Sequence, residues 1–171
     1  RNHVSTGDTK YYCWYLLKNK IQPLFNDLKQ YYHVTDVDTV KILADETPYD
    51  LRDFNGIVHA DFYAVYDTGK KHLIVENLEL LNNHFIIVPN SNFVVFYKEG
   101  LWFSYDLRKN VKKILNKNIP DQFNNSKQKY ISDTHHFGAL GIIKGSDEFL
   151  VYDEYDIWKL SLNGGKPVRL T

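Results

Sequence analysis

The sequence predicts an all-β fold, and two observations lead to this prediction. Short runs rich in Tyr, Val, Ile, Phe and Trp alternate with turns rich in Asn, Asp, Gly and Lys, which is typical of antiparallel strands. Aromatic residues make up 15% of the 171-residue chain. No stretch keeps a helical period beyond two turns, so strands are expected to form the core.

The strand signal is carried by ten runs. Residues 73–83 come nearest to a helical pattern and predict a short helical turn. Polar hairpin turns are expected at 89–92 and 144–147, where Asn, Ser, Gly and Asp follow one another. The predicted strands are residues 11–17, 30–34, 40–43, 60–66, 85–88, 93–97, 101–105, 141–143, 149–153 and 157–162.

The strands repeat along the chain as an aromatic strand, a polar turn and a strand that ends in an aliphatic residue. Tyr63 and Trp102 stand at matching positions, and the interval between them is close to the roughly 40–45 residues of a four-stranded propeller blade. Trp158, which follows Asp156 in the third unit, comes after Trp102 at a clearly longer interval. A polar loop at 119–137 accounts for the longer spacing. Packing of blade against blade explains the matching aromatic positions.

The repeats predict a partial β-propeller of about three to four four-stranded blades. The blades are expected at residues 1–50, 51–84, 85–118 and 138–171, with 119–137 as an inter-blade loop within a single domain. A two-layer β-sandwich of similar length is the alternative. The chain begins at Arg1 and contains no Met, so we expect a segment of a longer protein. An open arc predicts self-association through its uncovered blade faces.

Charge and composition exclude several function classes. Basic and acidic residues number 21 each, which argues against a nucleic-acid clamp. The chain has no run of 18 consecutive apolar residues, so no membrane-spanning helix is predicted. The single Cys13 excludes an internal disulfide and a cysteine-rich zinc site. Neither a cofactor nor a metal is expected.

Few residues suggest chemistry. The neighbouring His135 and His136 point in different directions on an extended chain, so a shared metal is not expected. Together with Tyr130 they are candidates to line a substrate passage. Asp153 and Asp156 could act as the paired carboxylates of a glycosidase, although turn capping explains them more simply. The basic stretch from Arg108 to Lys117 is interpreted as a solvated strand edge.

Residues 149–171 resemble a motif in a bacterial branch of the prolyl oligopeptidase/dipeptidyl peptidase IV family. There a propeller strand reading Asp-x-Tyr-Asp-Ile-Trp precedes a Gly-containing turn and Leu-Thr, as in residues 153–171 here. Residues 92–106 and 61–70 are similar to other strand–turn units of that family. Departures occur at 135–137, where the family more often has Pro and Tyr, and at 89–91, where it has Pro-Asp-Gly.

The resemblance implies a non-catalytic propeller that docks and gates peptide substrates for a separate α/β-hydrolase domain. It implies that the parent protein is a serine peptidase in the periplasm or a secreted one. None of the serines lies in a Gly-x-Ser-x-Gly sequence, so no catalytic residue is assigned here. A stand-alone propeller that binds a protein or glycan ligand is the alternative function.

Overall fold

The computed structural model describes residues 12–15, 19–23, 32–37, 40–49, 58–66, 68–80, 84–119, 123–125 and 135–171. These residues form strands and one 3-10 turn at Thr47–Tyr49, with no α-helix in the described part. The all-β class is therefore confirmed. The strands are Tyr12–Tyr15 (β1), Lys20–Pro23 (β2), Tyr32–Val37 (β3), Val40–Asp45 (β4), His59–Tyr66 (β5), Lys71–Glu79 (β6), Phe85–Ile87 (β7), Phe93–Lys98 (β8), Leu101–Asp106 (β9), Val111–Ile114 (β10), Ala139–Ile142 (β11), Glu148–Tyr152 (β12), Ile157–Ser161 (β13) and Val168–Arg169 (β14).

Twelve of these strands form three four-stranded antiparallel sheets, in which each strand pairs with its neighbours in the sequence. We call them sheet 1 (β3–β6), sheet 2 (β7–β10) and sheet 3 (β11–β14). Strands β1 and β2 form a separate two-stranded sheet. Consecutive pairing needs only short connections, which explains why turn residues so often separate the aromatic runs.

The sheets differ from the expected units at one boundary. Sheets 2 and 3 lie within the predicted units 85–118 and 138–171. Sheet 1 instead crosses the predicted boundary between residues 50 and 51, because β4 pairs with β5 along its whole length. The long connection between β4 and β5, which holds the 3-10 turn, suggested a separation between units where the sheet in fact continues.

The expected helical turn at residues 73–83 is wrong, because residues 71–79 form the strand β6. Ile74, Val75 and Leu78 are buried at a spacing that resembles one helix face. The pairing of β5 with β6 is irregular there, since Phe62 faces Val75 while Ala60 faces Leu78. This β-bulge sets the side-chain alternation out of step, so a strand imitates a helical pattern.

The three sheets pack face to face in chain order, and sheet 2 is covered on both sides. Val94 and Phe96 of β8 belong to one buried cluster with sheet 1, whereas the alternating residues Val95 and Tyr97 belong to a second cluster with sheet 3. This alternation explains why all the residues from Phe93 to Tyr97 are buried. Apolar burial on both faces of one sheet is the main source of stability in this arrangement.

Aromatic rings form much of the contact between sheets. Phe62 of sheet 1 stacks on Phe85 of sheet 2, with ring centroids 3.9 Å apart. Trp102 of sheet 2 meets Phe149 of sheet 3 edge to face, with centroids 5.4 Å apart. Both geometries suit aromatic pairs, and they explain the high Tyr and Phe content.

The strands of sheets 2 and 3 pair in the same register. Adding one constant to a residue number of sheet 2 gives the equivalent residue of sheet 3. Phe93 pairs with Asp106 in sheet 2, and Glu148 pairs with Ser161 in sheet 3, so the offset that takes residue 93 to 148 also takes 106 to 161. The fourth strands keep this offset, since Lys113 pairs with Ser104 and Val168 pairs with Lys159. The two sheets are therefore structural repeats of one another.

This register changes the matching of the tryptophans. Trp102 corresponds to Ile157, and Trp158 corresponds to Phe103, so the expected match of the two tryptophans is out of register by a single position. Trp102 faces sheet 3, and Trp158 faces sheet 2. Tyr63, Trp102 and Trp158 do lie on the third strand of their sheets, but the two tryptophans lie on opposite faces because successive side chains alternate.

A hydrogen bond links each sheet to the next at equivalent carbonyl groups. The Tyr66 hydroxyl of sheet 1 donates to the Leu107 carbonyl at 2.5 Å, and the Ser104 hydroxyl of sheet 2 donates to the Leu162 carbonyl at 2.7 Å. Leu107 and Leu162 are related by the same constant offset, and both are buried. The same kind of link therefore fixes the sheets at each junction.

Candidate functional site

The Asp153 carboxylate is buried at the turn between β12 and β13, with 4% of its surface exposed. One oxygen accepts the backbone N–H groups of Tyr155 and Asp156 at 2.7 and 2.6 Å. The other accepts the indole N–H of Trp158 at 2.6 Å. Both oxygens are used to hold the turn and the tryptophan in place.

The Asp156 carboxylate is also engaged. One oxygen accepts the Thr171 hydroxyl at 3.2 Å, and the other lies 2.8 Å from the Arg169 guanidinium. A glycosidase needs one carboxyl that gives up a proton and one that attacks or activates water. Because all four oxygens of Asp153 and Asp156 contact the protein, these contacts favour the turn-capping interpretation over the glycosidase hypothesis.

The predicted passage residues His135 and His136 lie between sheets 2 and 3. His135 is buried, and the His136 ring lies 4.8 Å from the Trp102 ring, 5.0 Å from the Tyr97 ring and 5.1 Å from the His84 ring. The ring of His136 therefore lies in an aromatic pocket of sheet 2. Tyr130, the third predicted passage residue, lies outside the described residues.

His84 completes this histidine–aromatic cluster, which we define as His84, Tyr97, Trp102 and His136. Only 2% of His84 is exposed. Burial lowers the pKa of His84 below its ordinary value of 6.5, while the nearby Glu79 acts in the opposite direction. The cluster packs the His136 ring against sheet 2, and burial favours the neutral form of the His84 ring.

Tyr63 belongs to a hydrogen-bonded group around Asp61. The hydroxyl groups of Tyr49 and Tyr63 lie 2.5 and 3.3 Å from the Asp61 carboxylate, which also accepts the backbone N–H of Asn77 at 2.8 Å. Burial and the Asp61 charge raise the pKa of Tyr63 to about 12. The raised pKa keeps the Tyr63 hydroxyl protonated near neutral pH, and the hydrogen bonds to Asp61 hold both hydroxyl groups in place.

Among the described residues, no group of three or more His, Cys, Asp and Glu side chains is placed to hold a metal ion. No helix in the described part is long and apolar enough to cross a membrane.

A groove lies where the first hairpin turns of sheets 2 and 3 meet. We call it the rim groove. Apolar side chains line it at the ends of β7 and β11, and polar turn residues line its other parts. Its residues are Val88, Pro89, Asn90, Ser91, Ile142, Ile143, Lys144, Gly145, Ser146 and Asp147.

The two turns of the rim groove have the same construction at equivalent positions of the two sheets. Asn90 and Gly145 both have left-handed backbone conformations, with φ values of 55° and 79°, which few residue types other than Gly and Asn adopt. The hydroxyl oxygens of Ser91 and Ser146 each accept the backbone N–H two residues later, at 3.3 Å. These turns are fixed internally, so the groove is a preformed feature.

One positive and one negative side chain lie in the rim groove. The Asp147 carboxylate accepts the Asn163 side-chain amide at 2.8 Å. The exposed Lys144 ammonium has no ionic partner among the residues that the structure describes. The groove therefore combines apolar residues with sparse charge.

Sequence reasoning found both turns of the rim groove but not their meeting. The residues 89–92 and 144–147 carry turn signals, and nothing in a single sequence says that two hairpins of different sheets form one groove. His84 was missed altogether, because one histidine before a strand has no distinguishing pattern. No protein-family model matches the chain, and no curated protein matches it significantly.

Proposed function

We propose that the chain is part of a β-propeller that docks peptides without cleaving them. The observation that carries the proposal is the serial packing of sheets 1, 2 and 3, in which sheet 2 is covered on both faces. Radially arranged blades pack in this way, whereas a two-layer sandwich leaves an open face on each sheet. The register that sheets 2 and 3 share supports the same arrangement.

Peptide docking is assigned to the rim groove. Its apolar residues Ile142 and Ile143 would receive peptide side chains, and the turn backbone would bind peptide amide groups. In the proposed parent, a serine peptidase resembling the prolyl oligopeptidase/dipeptidyl peptidase IV family, an α/β-hydrolase domain would cleave the peptide. The periplasmic or secreted location belongs to this same proposal.

The second candidate function is a stand-alone propeller that binds a protein or glycan. The rim groove would again be the binding site. Its turns, in which Asn90 and Gly145 have left-handed backbone conformations, suit either function. Ligand size separates the two candidates. A gate for a peptidase prefers short peptides, whereas a binding module recognises a folded protein or an oligosaccharide.

The test is fluorescence anisotropy with a short, labelled, proline-containing peptide. The variant Ile143→Arg puts a charge among the apolar residues of the groove and should weaken binding about ten-fold or more. Tyr155→Arg adds the same side chain at the opposite end of sheet 3, where Tyr155 is 80% exposed, and should leave binding unchanged. Equal binding by both variants, or binding of folded proteins or glycans alone, would contradict peptide docking.

A further inference from the structure

Strand β10 forms an outer edge of sheet 2. Among the described strands it pairs with β9 alone, and all four of its residues are exposed. The backbone groups of an antiparallel strand point alternately to its two sides. The outer side of β10 therefore presents N–H and C=O groups that no other strand of the described part takes up.

Positive charge is concentrated at this edge. One acid lies in the same stretch, Asp106, and it is buried, where its carboxylate accepts the backbone N–H groups of Arg108 and Lys109. The chain as a whole has 21 basic and 21 acidic residues, so the surplus at β10 is local. The basic residues, all exposed, are Arg108, Lys109, Lys112, Lys113 and Lys117.

The lysines of β10 point to different faces of the sheet. The Lys112 ammonium lies 5.7 Å from the centre of the Phe103 ring, while the Lys113 ammonium donates to the Asn163 carbonyl of sheet 3. Val111 and Ile114 are 42% and 38% exposed. The edge thus offers free backbone groups, cations and apolar side chains over one short strand.

The fourth strands of the other sheets do not share these properties. Strand β14 has only the two residues Val168–Arg169, and β6 carries Glu76 and Glu79 beside Lys71. Lysines at an edge oppose pairing with a similar strand, but opposite charges across a strand pair are favourable. The charge at β10 therefore rejects a copy of itself and selects an acidic strand.

We infer that β10 docks an extended acidic segment of a partner protein, which joins sheet 2 as a fifth strand. Backbone hydrogen bonds to the outer side of β10 supply affinity, as in other cases of strand addition. Carboxylates of the segment pair with Lys112 and Lys117, and its apolar residues cover Ile114. This surface is distinct from the rim groove, so the inference does not depend on the proposed function.

The test uses a labelled peptide in which Glu alternates with Val, added to the full chain and followed by fluorescence anisotropy. The double variant Lys112→Glu/Lys117→Glu should weaken binding by about ten-fold or more, because attraction becomes repulsion. The control Lys70→Glu/Lys166→Glu makes the same change in net charge at exposed residues elsewhere. It should stay within about two-fold of the original protein. Circular dichroism checks that all variants fold.

Backbone pairing is tested with the same peptide N-methylated at every residue, which should lose binding because neither of its edges can donate hydrogen bonds to β10. The inference is overturned if the Glu/Val peptide does not bind, if the control variant loses as much affinity, or if the methylated peptide binds equally well. It is also overturned if a single-stranded oligonucleotide binds more tightly and depends on the same lysines. A loss of binding that is confined to the Lys112→Glu/Lys117→Glu variant and to the methylated peptide supports the inference.

Discussion

Single carboxylates in this chain organise turns. Asp153 shows this most clearly, since its two oxygens accept three N–H groups around one hairpin. A charged acceptor with several donors is worth more than one ordinary hydrogen bond, and its loss leaves buried donors without partners. Asp153 is therefore part of the construction of this turn.

At this scale, Asp153→Ala is predicted to lower the free energy of unfolding by about 2–4 kcal/mol. The reason is that the N–H groups of Tyr155, Asp156 and Trp158 all lose their acceptor. Urea unfolding followed by tryptophan fluorescence measures the change. Asp147→Ala is the matched control, because that exposed carboxylate accepts a side-chain bond from Asn163, and its removal should cost well under about 1 kcal/mol. Equal costs for the two variants would show that Asp153 has no special structural role.

Strands and loops show how much the sequence could predict. Short runs rich in Val, Phe and Trp correctly predicted β8 and β9, since buried strands of this composition have few other interpretations. The prediction of a helical turn was wrong at β6, where a bulge makes the spacing of Val75 and Leu78 resemble a helix face. The sequence also suggested that Trp102 matches Trp158. Large aromatic residues are visible in a sequence, whereas the strand register that relates the two sheets is not.

The buried His84 beside β7 predicts a pH dependence of stability. The pKa of His84 is lowered in the folded state, so folding favours the neutral ring. The contribution of His84 is therefore complete above its ordinary pKa of 6.5 and decreases as the pH falls below that value. The groups that face it are Glu79, which opposes this effect, and His135, which adds to it.

His84→Phe should therefore reduce the loss of stability between about pH 7.5 and pH 5.5, as measured by urea unfolding at each pH. His72→Phe replaces a histidine that contacts Tyr66 in sheet 1 and should leave the pH dependence as it is in the original protein. An unchanged pH dependence in His84→Phe would contradict the prediction.

For the whole molecule, the outer face of sheet 3 is the surface through which we predict association. Leu150, Tyr152 and Ile157 on this face are the counterparts of Val95, Tyr97 and Trp102, which pack between sheets 2 and 3. On sheet 3 the same positions are only half-buried. A face built for packing is thus partly exposed to solvent, which favours association.

We therefore predict that the isolated chain self-associates as its concentration rises, measured by light scattering after size exclusion. Leu150→Lys should shift the population toward monomer, because it puts a charge into the apolar face. Tyr155→Lys adds the same charge in a turn and should not change it. A chain that stays monomeric at every concentration tested would contradict self-association through this face.

The central claim is that sheets 2 and 3 diverge from a common axis as neighbouring blades. It is tested most directly by electron spin resonance distances between paired spin labels, with Cys13 replaced by Ser. One protein carries labels at Pro89 and Lys144, near the first strands, and another at Val111 and Lys166, on or beside the fourth strands. Each pair joins exposed positions that are equivalent in the two sheets. The account predicts a clearly longer distance for the fourth-strand pair, whereas equal distances of about 10 Å, as between parallel layers, would contradict it.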